Sequence, residues 1–181
     1  KKELKEFHLF TGSAFFNKNE SLLLFLEQLS AYHPDLNQDI LNREQFFSKN
    51  PVFPAYSDQK VRYLLSDLTK VLEEFIAYKE FKRNPFNAHF QLANALLRRN
   101  QEKFFLQELE VLKNMNESAA FRDHGYYFNL HQLSEIAYEY TSGSRNRAFD
   151  TSLQELMDNL EISYLSKSLR FYCEMINRRN I

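Results

Sequence analysis

The sequence predicts an all-α protein in which antiparallel helical hairpins stack as a short, irregular helical-repeat array. Three observations carry that expectation. First, only 3 Gly and 4 Pro interrupt 181 residues. Gly12, Pro34, Pro51, Pro54, Pro85 and Gly143 sit at joints between apolar runs, and Gly125 alone falls near the start of a helical stretch. Glycine and proline are the residues a helix interior tolerates least, so interiors free of them suit helix. Second, apolar residues between the joints recur at three- and four-residue spacing, the period of a helix face. Third, two helix pairs after Pro85 begin about 37 residues apart, near the period of helical-repeat modules. The tetratricopeptide signature is not met, because the chain has no Trp to begin the Trp-Leu-Gly-Tyr order.

The first helix is expected over 2–10, with Leu4, Phe7 and either His8 or Phe10 on one side, ended by Thr11-Gly12-Ser13. Asn19 is placed to cap a second helix over about 20–32, whose face is Leu22, Phe25, Leu26, Leu29 and Tyr32. Pro34 stops it. A third helix over about 38–48 carries Ile40, Leu41 and Phe47, and Pro51 and Pro54 then force an extended link. Ser57 caps the most regular helix of the chain, whose stripe reads Val61, Leu64, Leu65, Leu68, Leu72, Phe75 and Ile76.

Beyond Pro85 the helices come in pairs. The first pair covers about 86–99 (Phe86, Phe90, Ala93, Leu97) and about 101–115 (Phe105, Leu109, Leu112). The second covers about 123–141 and 151–178, joined by a Ser142-Gly143-Ser144 turn. Thr151 and Gln154 form a capping box for the last helix, which carries Leu153, Leu156, Met157, Leu160, Tyr164, Tyr172 and Met175. The expected organisation is one helical domain over 1–181, with an N-terminal bundle over 1–83 and two hairpins over 84–181. The chain opens on Lys1 and stops within a helical pattern, so we expect a piece of a longer protein.

Composition narrows the functional classes. Lys and Arg number 23 against 24 Asp and Glu, so no global field draws the chain to nucleic acid or an anionic membrane. The longest apolar run, Leu22 to Leu26, is far too short to span a bilayer, and no charged-then-apolar leader opens the chain. One cysteine, Cys173, allows no intrachain disulfide, so the expected compartment is the cytoplasm.

Chemistry-bearing patterns are few. Three isolated glycines cannot build a phosphate loop. His124, His131 and Glu135 share one face of the 123–141 helix, but the two histidines lie two turns apart and cannot ligate one ion. His131 and Glu135 alone are too few ligands. We therefore expect no metal, no cofactor and no catalytic residue. Cys173 reads as a buried thiol, and Glu73-Glu74 and Glu108/Glu110 read as solvated helix faces. Lys79, Lys82 and Arg83 crowd a helix C-terminus, where cations offset the dipole, with a phosphate-binding patch completed by Lys103 as the rival reading.

One surface stands out. The 123–141 helix shows His124, Phe128, His131, Glu135 and Tyr138 on one face and Tyr126, Leu130, Leu133, Ala137 and Tyr140 on the other. The second is the better core face. The first is then free to bind a protein or peptide, unless a neighbouring helix or a further repeat covers it. Self-association is a second expectation, since an open helical stack ends in an unfinished apolar face.

Phe15-Phe16-Asn17-Lys18-Asn19-Glu20, with Asp58-Gln59-Lys60-Val61-Arg62-Tyr63-Leu64 and Ser66-Asp67-Leu68-Thr69-Lys70, resembles a family of uncharacterised helical proteins of Bacteroidetes-type bacteria. The likeness extends over nearly the whole chain and implies a tetratricopeptide-like helical fold, with no activity to assign to any residue. Asn42-Arg43-Glu44-Gln45-Phe46-Phe47, a proline-containing link and 57–74 are similar to the winged-helix part of bacterial transcriptional activators. That likeness implies the alternative function, a DNA-binding regulator fragment with a degenerate winged-helix-like N-terminal region. Against it, 77–81 is too short for a β wing, and Asp58, Asp67, Glu73 and Glu74 oppose Lys60, Arg62 and Lys70 on the reading helix.

Overall fold

The computed structural model describes residues 2–31, 57–142 and 152–179, the side chains of Asp58 and Ser152 excepted. The described residues form seven helices and no strand. They are α1 (Lys2–Thr11), α2 (Glu20–Ala31), α3 (Asp58–Arg83), α4 (Pro85–Arg98), α5 (Glu102–Glu117), α6 (His124–Ser142) and α7 (Ser152–Arg179). None is long and apolar enough to cross a membrane. Tyr32, the stop at Pro34, the helix expected over 38–48, the link through Pro51 and Pro54, the turn at Gly143 and Ser144, and the Thr151 cap lie outside the described residues. The chain divides into two compact units, Lys1–Arg83 and Asn84–Ile181.

In the first unit α1, α2 and α3 pack on one another. Asn19 caps α2 as its position predicts, accepting from the Ser21 amide at 3.1 Å, while Asn17 accepts from the Asn19 amide at 2.9 Å. The core joins Phe7 and Phe10 of α1, Leu22 and Leu26 of α2, and Val71 and Phe75 of α3. Phe10, rather than His8, is the buried choice on α1. His8 lies beside Ser30, whose hydroxyl already donates to the Leu26 carbonyl, so the imidazole Nε2–H donates to Ser30 at 2.7 Å. On α3 the buried stripe is Val61, Val71 and Phe75, with Leu64 and Leu68 packed against it. Leu65, Leu72 and Ile76 stand exposed. The run of aliphatics is wider than the face one helix can bury, and by the helical period Val71 lies nearer than Leu72 to the line through buried Phe75. The helix continues unbroken through 77–81.

Lys79 ties the far end of α3 to α1. Its ammonium meets Glu3 at 2.8 Å and Glu6 at 3.1 Å and stands 5.4 Å from the centre of the Phe75 ring. This partnership pulls Glu3 below the ordinary carboxylate range, through the hydrogen bond first and the lysine charge second. The same hydrogen bonds hold Lys79 above the ordinary ammonium range. The lysine thus has two carboxylate partners besides its place in the last turns of α3.

In the second unit each helix packs on the next in sequence: α4 on α5, α5 on α6, and α6 on α7. Local chemistry sets the joints. Asn84 caps α4 by accepting from the Asn87 amide at 3.2 Å, with Pro85 at the first helical position, where a missing N–H costs nothing. Asn100 ends α4 in the left-handed region at φ 56°. Its amide bonds the Leu97 carbonyl and the Gln101 amide bonds the Leu96 carbonyl, the paired closure of a Schellman stop. Asp123 caps α6 by accepting from the amides of Gly125 and Tyr126 at 2.9 and 3.1 Å. A Cβ on Gly125 would stand 3.2 Å from that carboxylate oxygen, so glycine leaves the cap room.

The core of this unit joins Phe86 and Ala93 of α4, Phe105, Leu109 and Leu112 of α5, and Leu133 and Ile136 of α6. Buried Asn116 of α5 donates to the Tyr126 carbonyl at 3.2 Å and accepts from Asn129 at 3.0 Å, fixing α5 against α6. Farther along, the Tyr140 hydroxyl donates to the Glu102 carboxylate. The late end of α5 therefore meets the early end of α6, and the early end of α5 meets the late end of α6.

Candidate partner-binding face

The face singled out on α6 meets α7 along part of its length. The Ser163 hydroxyl of α7 donates to the His124 main-chain carbonyl at 2.8 Å. Two turns on, His131 Nδ1–H donates to the Leu156 carbonyl at 3.1 Å, which fixes the proton on Nδ1. His124, His131 and Tyr138 are half-buried, whereas Phe128 and Glu135 are exposed. The Phe128 and His131 rings lie 6.2 Å apart. The five residues therefore form a seam with α7 at the histidines and a free edge at Phe128 and Glu135. Opposite them, Tyr126, Leu133 and Ile136 are buried. Ile136 is the core residue that the sequence reading passed over.

The larger surprise is α7. Of the apolar residues that mark it in the sequence, Leu153, Met157, Leu160, Tyr164, Tyr172 and Met175 are all exposed, and Leu156 alone is half-buried. The residue buried against α6 is Ser163. Asn159, Ser163 and Ser166 turn inward with Leu156, and the other aliphatic and aromatic side chains turn out. Leu165, Leu169 and Ile176 extend the outward surface. Cys173, expected to be buried, is exposed there as well.

A concavity lies where α4 ends and α5 and α6 meet, lined by Leu97, Asn100, Glu102, Phe105, Glu139 and Tyr140. The Glu102 hydrogen bond, aided by desolvation and the carboxylate charge, holds the Tyr140 phenol above its ordinary range. Glu102 and Tyr140 are 38 positions apart, so no local pattern could have paired them. Elsewhere on these helices, His89 Nδ1 bonds the Glu108 carboxylate across α4 and α5. Among the described residues, no group of three His, Cys, Asp or Glu is placed to hold a metal ion.

No protein-family model, curated protein or solved structure matches the chain.

Proposed function

We propose that the chain is a non-enzymatic helical scaffold that binds a protein or peptide through the outer surface of α6 and α7. In this reading the second unit is a pair of antiparallel hairpins, α4–α5 and α6–α7, stacked in the manner of a short helical-repeat array. The observation that supports it best is the outward apolar surface of α7, where Leu169, Tyr172 and Ile176 are 63%, 61% and 58% exposed. Contiguous apolar surface of this kind on a folded domain marks an interaction site. Phe128, 46% exposed on α6, supplies an aromatic anchor of the sort that dominates binding energy at interfaces.

The test is capture of a cellular partner by the wild type and by a Phe128→Ala, Tyr138→Ala variant, with far-ultraviolet circular dichroism on both. The scaffold reading expects the variant to keep its helicity and lose the partner. Loss of helicity would instead make the stripe part of the core.

A further inference from the structure

We propose that the outer face of α7 docks on the same face of a second copy of the chain, antiparallel, with the two-fold axis near Arg170. This rests on reading α7 as a binding face and names what binds there. The argument begins with a register. Glu161, Leu165, Ser168, Tyr172, Met175 and Arg179 follow one another at alternating four- and three-residue steps, the spacing of a coiled-coil seam. They occupy the side of α7 away from buried Ser163. All are exposed except Ser168, which is half-exposed.

The order of residue types along this seam is self-complementary. An antiparallel pairing about Arg170 sets Glu161 against Arg179 of the second copy, Leu165 against Met175, and small Ser168 against large Tyr172. The symmetry repeats each pairing, so one seam holds two opposite-charge pairs at its ends and apolar pairs within. A parallel pairing would set Glu161 against Glu161 and Arg179 against Arg179. Among the described residues, Glu161 and Arg179 make no ion pair within their own chain, whereas Arg170, off the seam, is held by Glu174 at 3.1 Å. Leu169 and Ile176 on one side and Tyr164 and Phe171 on the other, all exposed, flank the seam and widen the apolar contact. Charge at the ends of such a seam sets orientation and partner, while the apolar pairs carry the association.

The experiment is sedimentation equilibrium on the full chain and on three variants, Glu161→Arg, Arg179→Glu and Leu165→Asp, with circular dichroism to confirm folding. The wild type should sediment as a concentration-dependent dimer. Each charge reversal should weaken it by about tenfold, since two exposed pairs change from attraction to repulsion. An equimolar mixture of the two charge variants should regain the wild-type affinity as a heterodimer, because both cross pairs are then opposite in sign. Leu165→Asp should be monomeric. A monomeric wild type at every concentration overturns the proposal, and so does a dimer whose charge variants show no recovery on mixing. Partner capture that depends on Phe128 and Tyr138 is read in a separate assay, so a monomer that still captures its partner overturns the dimer and leaves the scaffold standing.

Discussion

Ser163 of α7 donates its hydroxyl to the main-chain carbonyl of His124, at 2.8 Å, and is itself buried. This contact orients α7. A small hydroxyl residue lets the two helices approach closely and adds a second bond to a carbonyl of the α6 first turn, so the bulkier residues of α7 are left on the other side. Ser163→Ala should lower the unfolding free energy by about 1 kcal/mol, the usual net worth of such a bond. Ser163→Leu should cost more, because it pushes α7 off α6. Urea unfolding followed by circular dichroism checks both.

Thr11 is buried to 1% exposure, and its Oγ1 has no hydrogen-bond partner among the described residues. Valine has nearly the same shape and leaves no hydroxyl to satisfy. Thr11→Val should therefore raise the stability of the first unit by up to about 1 kcal/mol. A destabilised variant would mean that the hydroxyl has a partner.

Lys79 and Glu3 give the first unit a pH dependence with two edges. Glu3 is lowered in the fold, so its contribution is present above its ordinary value of 4.5 and fades as acid protonates it. Lys79 is raised, so its contribution is complete below its ordinary value of 10.5 and is lost as base removes the proton. Lys79→Met should flatten both edges of a plot of thermal midpoint against pH. The Glu3 side chain is 73% exposed and that of Lys79 37%, so the amplitude should shrink with added salt.

Phe104 and Phe105 are neighbours in sequence with opposite fates, 54% and 0% exposed. Phe105→Ala empties part of the α4–α5–α6 core and should cost about 3–5 kcal/mol. Phe104→Ala should stay within about 0.5 kcal/mol of wild type. Equal losses would contradict the packing of α5.

The helical class was legible because apolar residues recur at helix spacing and Gly12 and Pro85 fall at joints, and the cap at Asn19 follows from chemistry that acts over two or three residues. Core positions on α5 were legible for the same reason, since Phe105, Leu109 and Leu112 make a single narrow stripe. The stripe on α3 was harder, because its aliphatics surround more of the helix than one face can bury, and Val71 took the place given to Leu72. On α7 periodicity marks where apolar residues lie but not which side meets the neighbour. That choice was made by Ser163 and its long-range bond to α6, which no local pattern announces. The same limit applies to the α6 stripe, where His131 is held by a carbonyl 25 residues away.

The outward placement of the α7 apolar surface is the claim on which the functional reading depends. The most direct measurement is the urea unfolding free energy of a Leu169→Ser, Tyr172→Ser double variant, taken dilute enough for single copies. The account predicts a value within about 1 kcal/mol of wild type, since both side chains already meet water. A loss of about 4 kcal/mol or more would place these side chains in the core and contradict it.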